Sequence, residues 1–509
     1  MDIPMNQAMS DFESYLSDES RVKGNAEKFF FPENDADISQ ILQFAEKNDI
    51  PVTVSGGRTG VAAGAVPRGG WLLSMEKMSQ VTGFYFDSLS NEYRITVQSG
   101  LALSSLRGML QTGRFCMVKN PVRYDFESVE KYRKSINNWI FPPDPTEPSA
   151  QIGGMTATNA SGAKTFRYGP MRNYIRAIKV VLPNGEIVYL RRGEKFSGKS
   201  NIFQYMPLLN YSIPSTKHAC GYYSSNEHDL IDIFIGSEGT LGVISEIELA
   251  LKHVEGERVE TVAFFKDHAS VAAFVTGLRL KAAVNDDFIV ESIEYMCSKS
   301  LNLIEADSKG WGRGGMAVFA GLRISQNIAS TLESVQQMII DSNGDPDLAL
   351  IAVSPPDLAR FSSLRHLLPE KVNDKISQRR KQYPKLTKLG TDMAVPDSKL
   401  EEIMNMYTEK LIESKLEHVI FGHIGDNHLH VNILPANTEE YSKGRELYEF
   451  FAEYVVKCNG SVSAEHGIGK LKTYLLEKQF SPESIVQMKN LKKYFDPKWL
   501  LGRGNLFPE

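Results

Sequence analysis

Phe421-Gly422-His423-Ile424-Gly425-Asp426-Asn427-His428-Leu429-His430-Val431-Asn432-Ile433 holds three of the chain's ten histidines. From Leu429 onward apolar and polar residues alternate, the period of a half-buried strand. On such a strand His428, His430 and Asn432 share one face, while Leu429, Val431 and Ile433 pack on the other. Gly422 and Gly425-Asp426-Asn427 mark a turn ahead of it, across which His423 can fold back towards His430. Further along, SAEHGIGK brings Glu465 and His466. Two imidazoles and a carboxylate (His423, His430 and Glu465) make a common donor set for a divalent metal with one coordination position open. His466 beside them is a candidate general base. The bland alternative is a set of ordinary polar residues on one exposed sheet face, and the spacing matches no structural zinc pattern.

Towards the N-terminus, residues 11–50 read as helical with a break at Phe31-Pro32-Glu33-Asn34, and Ile38–Lys47 has apolar residues at helical spacing. Pro51–Val54 reads as a short buried strand running into Ser55-Gly56-Gly57-Arg58-Thr59-Gly60. Glycines there allow positive φ and let N–H groups converge on an anion such as a pyrophosphate. The segment is neither GxGxxG nor a GK[ST] loop, and a plain tight turn is the alternative. Strands are expected at Trp71–Met75 and Tyr93–Gln98, a helix at Leu101–Leu110, and an inserted helical excursion at 119–139. After the rigid Pro142–Pro148 run, residues 150–162 (AQIGGMTATNASG) are dense in small side chains, which lets a flat ligand, or a tightly packed helix, approach the backbone. Ile175–Leu190 reads as a hairpin around Pro183-Asn184-Gly185. Residues 193–225 are a polar connection, and Val243–Leu249 is a strand after Gly236–Gly242. Beyond about residue 252 the glycine clusters thin out. Strands at Val259–Phe265, Gly315–Leu322 and Leu348–Val353 alternate with helices at Ala269–Leu280 and Ile328–Ile340, which suggests helices layered on an antiparallel sheet. Helices are expected at Glu439–Asn459, Lys470–Phe480 and Pro482–Tyr494.

Composition narrows the class. A chain of 509 residues allows two or three domains, and a net charge of -5 leaves no basic footprint for nucleic acid. Cys116, Cys220, Cys297 and Cys458 are widely spaced with no CxxC pair, pointing to reduced thiols rather than a disulfide framework or a cluster. The N-terminal segment is acidic and lacks the pattern of a signal peptide. No apolar run approaches the ~18 residues that span a bilayer. The expectation is a cytoplasmic protein, with peripheral contact at the inner membrane face left open.

Five segments in this order carry a resemblance: PVTVSGGRTGVAAGAVP (51–67), PPDPTEPSAQIGGMTATNASGAKTFRYGPMRNYI (142–175), GSEGTLGVISEIEL (236–249), GHIGDNHLHVNI (422–433) and SAEHGIGKLK (463–472). From about residue 20 to the end, the chain resembles FAD-linked oxidases of the vanillyl-alcohol oxidase / p-cresol methylhydroxylase superfamily. The branch it is most similar to contains D-lactate dehydrogenase, the glycolate oxidase D-subunit and D-2-hydroxyglutarate dehydrogenase. The resemblance implies an α+β architecture: a two-part FAD-binding domain (20–252), then an α/β cap (253–509) with an antiparallel sheet and C-terminal helices, its last segment returning towards the flavin domain. It implies FAD contacts at Ser55, Gly56, Gly57, Arg58, Thr59 and Gly60, at Pro145 and Thr146, and at Gly153, Gly154, Thr156, Asn159, Ser161 and Gly162. Further FAD contacts are implied at Glu238, Gly239, Gly242, Val243 and Ile244. It implies metal ligands His423, His430 and Glu465 (for zinc, manganese or iron), the base His466, and a substrate side formed by Arg365, which pairs with a carboxylate, and Asn432.

The sequence departs from the family pattern in places. The usual GDGNLH reads Gly425-Asp426-Asn427-His428-Leu429-His430 here, so His428 is extra, with approach to the substrate or the metal, or a place facing solvent, as its alternatives. Thr391 stands where the 2-hydroxyglutarate members carry a lysine. Both are placed on the substrate side. The tail reads Gly502-Arg503-Gly504-Asn505-Leu506-Phe507, which leaves its return path open. The implied reaction oxidises a D-2-hydroxy acid to the 2-oxo acid by hydride transfer to flavin. Electrons then pass to a quinone, an electron-transfer flavoprotein, a cytochrome, a partner iron–sulfur subunit or oxygen, and a homodimer is left open. The competing readings are a non-redox flavoenzyme like the alkylglycerone-phosphate synthases, and a non-catalytic flavin subunit. Glu465 before His466 favours the metal-dependent dehydrogenase.

Overall fold

A computed structural model describes residues 9–121, 123–194, 203, 205–225, 229–284, 288–308, 311, 315–324 and 327–508. Part of the expected 193–225 connection, residues 195–202 and 204, lies outside this set, as does the extreme N-terminus.

The first sheet is small and parallel, in the order Lys28–Phe30, Trp71–Ser74, Val52–Ser55. Helix Asp35–Lys47 connects the first and last of these in sequence. Asn34 caps it by accepting from the Asp37 N–H. Its Ile38, Ile41, Leu42 and Ala45 fall on one stripe and pack on Phe30, Trp71 and Leu73, each large aliphatic contributing roughly 1.5–3 kcal/mol. The expectation of a helix through residues 11–50 is therefore corrected. Met9–Leu16 is a 3-10 turn and Lys28–Phe30 is a strand. Parallel pairing of Phe29 and Phe30 with Leu72 and Leu73, and stacking of Phe29 on Phe12, override local helix spacing there.

The second sheet has six strands, in the order Arg123–Tyr124, Val81–Asp87, Glu92–Gln98, Val243–Ala250, Ile175–Val181, Ile187–Arg191. The hairpin around Pro183–Gly185 is present, and Val181 pairs with Ile187. The 119–139 excursion contains helix Phe126–Lys134, which buries Val129 and Tyr132.

The third sheet is antiparallel. Its order is Leu350–Ala352, Glu257–Phe265, Met316–Ile324, Phe288–Met296, His418–His423, His428–Ile433, Leu389–Gly390, with Met393–Ala394 also pairing His428–Ile433. Helices cover both faces. Ala263 and Phe265 join Val271, Phe274 and Leu278 of helix His268–Val284, whereas Val262 and Phe264 join Phe361, Leu364 and Leu368 of helix Pro355–Arg380. A strand buried on both sides reads as a nearly continuous apolar run, as Val259–Phe265 does. The 26-residue helix Pro355–Arg380 contains Pro369, a residue that marks a break in a sequence reading.

The chain's end returns to the first sheet. Val52 N–H donates to Leu500 O and Gly502 N–H to Val52 O, a parallel bridge that places the 502–507 tail beside the glycine-rich turn. The architecture is mixed helix and sheet, an FAD-type fold followed by a second sheet-containing half.

Candidate active site

The hairpin His418–His423 / His428–Ile433 builds the histidine cluster. Its register sets His423 opposite His428 and Phe421 opposite His430. Ile424–Asp426 is a single 3-10 turn, and Asn427 takes φ 50° to close it. Gly422, at φ 133°, admits the His430 ring: a Cβ there would stand 2.8 Å from His430 Cδ2.

Each ring is oriented from behind. His423 Nδ1 is 2.7 Å from Glu294 Oε1, and His430 Nδ1 is 3.0 Å from Thr391 O. These contacts leave both Nε2 atoms facing the same oxygen, Glu465 Oε1, at 3.5 and 3.4 Å. Two imidazole nitrogens converge on one carboxylate, with their remote nitrogens held by acceptors, and this is the donor chemistry and outer support of a divalent-metal site. The other oxygen, Glu465 Oε2, accepts from Lys217 Nζ at 2.7 Å and Ser161 Oγ at 3.1 Å.

Glu465 and His466 sit on a loop hung from one buried carboxylate. Asp392, fully buried, accepts from the N–H groups of Glu465 (3.1 Å) and His466 (3.0 Å), from Ser463 Oγ (2.7 Å) and from Lys472 Nζ (3.1 Å). His466 Nδ1 lies 3.5 Å from Asp392 Oδ2, its ring stacks on His430, and about a third of its side chain (34%) remains accessible.

Charge coupling follows from burial. Burial alone raises the Glu465 carboxyl, but the Lys217 ammonium and His423 override it and hold it well below the usual range. Burial lowers His423, yet the Glu294 carboxylate lifts it to about 9. Burial takes His466 down to about 4, only partly offset by Asp392, so the ring is an unprotonated acceptor at neutral pH.

A cleft of about 550 Å³ opens onto His423 and His430. Arg365 lines it, as do Pro145, Thr146 and Lys164 from the other half of the molecule. Arg365 Nη2 is 3.6 Å from Glu260 Oε1, an oxygen already bonded by Arg258, so two guanidinia share one carboxylate.

Some expected substrate-side residues lie elsewhere. The Thr391 hydroxyl donates to Leu429 O and accepts from the Val431 N–H, so it braces the histidine strand, and the residue is not among those lining the cleft. Asn432 is 3% exposed and donates to His430 O. His428 is fully buried and is not among the residues lining the cleft.

On the flavin side, the turn Ser55–Gly60 faces helix Ile152–Ala157: a Cβ on Gly56 would meet Gln151 and the Gly154 Cα, while one on Gly154 would meet nothing within 4 Å. The N–H groups of residues 56–60 donate to no acceptor among the described residues, the arrangement of an anion nest. Arg58 lays its guanidinium on the Tyr15 ring at 4.3 Å and donates from Nη1 to Gly56 O at 3.4 Å. Gly153 and Gly162 serve close packing, since a Cβ would stand 2.5 Å from Ser99 Cβ and 1.9 Å from Asp144 O respectively. The Glu238 carboxylate accepts from the N–H groups of Ile468 and Gly469. Val243 and Gly242 pack against Val180 and Val181, inside the sheet core. Missed by sequence reasoning were Lys217, Glu294 and Asp392. Each is an ionisable residue in an otherwise unremarked segment, and only tertiary contact reveals it.

The carboxylate–histidine centre thus sits on a cleft lined from both halves of the molecule, and the matching family models and relatives make the protein a flavin-linked oxidoreductase. The FAD binding domain model matches residues 26–125 and 128–191, and the model for the C-terminal domain of FAD linked oxidases matches residues 257–506. The chain belongs to the FAD-linked oxidases. It is 27% identical over 486 residues to the mitochondrial D-lactate dehydrogenase [cytochrome] of Arabidopsis thaliana, covering 94% of this chain and 73% of that one. It is 28% identical over 506 residues to the D-2-hydroxyglutarate dehydrogenase of Stutzerimonas stutzeri, covering 94% and 90%. The solved structure of p-cresol methylhydroxylase with substrate bound shares the fold, with TM-score 0.69, 13% identity, and coverage of 98% and 93%. No helix among the described residues is long and apolar enough to cross a membrane.

Proposed function

We propose that the protein is an FAD- and divalent-metal-dependent dehydrogenase of a D-2-hydroxy acid. The convergence of His423 Nε2 and His430 Nε2 on Glu465 Oε1 carries this reading. Bound FAD supplies the two-electron acceptor, and a bound cation supplies Lewis acidity at the substrate hydroxyl. His423, His430 and Glu465 would hold the cation, and the Ser55–Gly60 nest the pyrophosphate. His466 takes the 2-hydroxyl proton: it is neutral, positioned by Asp392 and partly accessible. Arg365 holds the substrate carboxylate by a forked pair, a task for which its weak 3.6 Å contact with Glu260 leaves it free.

Relatives named for D-lactate and D-2-hydroxyglutarate support the substrate class. A one-carboxylate acid such as D-lactate or glycolate fits Arg365 as the carboxylate's partner in the cleft. Lys164 and Arg258 in the cleft are the cations a second carboxylate would meet. The test is anaerobic bleaching of the flavin band by a panel of D- and L-2-hydroxy acids, with and without chelator. Rapid bleaching by a D-acid, abolished by chelator, is expected. Firmly bound FAD that no acid bleaches would overturn the reading.

A further inference from the structure

We propose that His428 is a third histidine ligand, making the centre a three-histidine, one-carboxylate site for a divalent first-row transition cation. The inference rests on the metal-dependent reading above and extends it with a residue that reading does not use.

His428 opens the strand that carries His430, and its ring is 4.3 Å from that of His430 and 5.5 Å from that of His423. It is wholly inaccessible, and its Nδ1 has no hydrogen-bond partner among the described residues. A buried imidazole nitrogen left unmet calls for an occupant. Its surroundings show which one. Nδ1 faces Glu465 Oε2 at 3.9 Å, and one donor atom from each of His423, His428, His430 and Glu465 lies within 4.8 Å of all the others. Nε2 points the opposite way and lies 3.1 Å from Asp392 Oδ1.

All three rings therefore follow one plan. One nitrogen faces Glu465 while the other faces an acceptor: Glu294 for His423, the Thr391 carbonyl for His430, Asp392 for His428. Metal-ligating histidines are held in this way by an acceptor at the remote nitrogen. A histidine serving only as core filler has no reason to share that orientation. Imidazole suits zinc, iron and manganese alike, and four protein donors still leave room on a five- or six-coordinate ion for the substrate's hydroxyl and carboxylate oxygens.

The test uses the full-length, FAD-loaded protein, stripped and reloaded with a single metal. X-ray absorption at the metal edge of the wild type should count three imidazoles. In His428→Asn the metal dissociation constant, read by competition with a chromophoric chelator, should rise about 100-fold or more, beyond what supporting residues alone carry. Retained FAD and an unchanged melting temperature of the metal-free variant show that it is folded. A count of two imidazoles, or a variant that holds metal within threefold of the wild type, overturns the third ligand and leaves the dehydrogenase reading standing. A wild type that takes up no metal overturns both. The imidazole count decides the question even when the variant fails to fold.

Discussion

Replacing Lys217 with methionine tests what holds the centre together before a cation arrives. Lys217 Nζ lies 2.7 Å from Glu465 Oε2, with only 4% and 12% of the two side chains accessible. Methionine keeps the length and removes the charge, leaving a buried carboxylate without its principal cation. Breaking one side of such a pair costs roughly 3–5 kcal/mol. Ser161 Oγ and His423 still support Glu465, so about 3 kcal/mol is the expected loss. At about 2.1 cal/mol/K per residue, the metal-free melting temperature falls by about 3 °C if the whole chain unfolds as a unit, or about 6 °C if the C-terminal half unfolds alone. A divalent cation restores the missing charge, so metal should bind the variant up to about 100-fold more tightly and close the gap in stability. Differential scanning calorimetry of chelated and metal-loaded protein reads the first effect, and chelator competition the second. The double variant Lys217→Met with Glu465→Gln should regain most of the metal-free stability. A chelated Lys217→Met that melts within about 1 °C of wild type and binds metal with unchanged affinity would refute the pairing argument.

His466→Ala should slow flavin reduction by a D-2-hydroxy acid about 10²–10⁴-fold while FAD stays bound; reduction at the native rate would remove His466 as the base. Because burial places the His466 pKa at about 4, and a bound cation would push it lower still, the free base persists from neutral pH down to about 4. The rate of reduction should therefore show no acid limb near the ordinary histidine value, and a limb centred at about 6.5 would place the base elsewhere. Arg365→Lys keeps the charge but loses the fork, and should lower kcat/KM by about 10- to 100-fold; an unchanged value means the carboxylate binds elsewhere. Gly422→Ala puts a Cβ against the His430 ring at a φ of 133°. It should cost about 1–3 kcal/mol and weaken metal binding, and an unaltered melting temperature together with unaltered affinity would contradict that.

Legibility in the sequence followed the range of the interaction. The hairpin and the meeting of His423 with His430 were readable because alternation and a Gly-Asp-Asn turn are local signals, and the strand His428–Ile433 follows them. Helix Asp35–Lys47 was readable from its apolar spacing. The strand Lys28–Phe30 was not, since its conformation is decided by Leu72 and Leu73 across the sheet. Arg365 could be singled out only through a resemblance, because the helix that carries it is 26 residues long, polar along much of its length and interrupted by Pro369. Lys217, Glu294 and Asp392 had no local signal at all. They lie far apart in the chain and meet only at the histidines. For Thr391 and Glu238 the sequence carried no sign that their side chains bond the backbone that shapes the site, because those bonds are made by the fold.

Glu238 bears on how the halves of the molecule are joined. Glu238 belongs to the flavin-side Gly236–Gly242 turn, takes φ 53° there, and binds the N–H groups of Ile468 and Gly469, just past His466. A Cβ on Gly467 would strike its carboxylate at 2.9 Å, so the loop carrying the base can approach this closely only with glycine at that position. From the same half, Ser161 donates to Glu465 itself. The tail adds a third tie, Asn505 Nδ2 donating to Glu238 O. Hydrogen bonds to charged groups contribute about 1.5–3 kcal/mol each, so the two to the Glu238 carboxylate and the one to Glu465, with the neutral Asn505 bond beside them, resist a hinge opening at this seam. The cradle and the carboxylate–histidine centre are thus set in place by the fold itself. A reaction in which a proton leaves to one side of the substrate and a hydride to the other requires that kind of fixed spacing between the two halves.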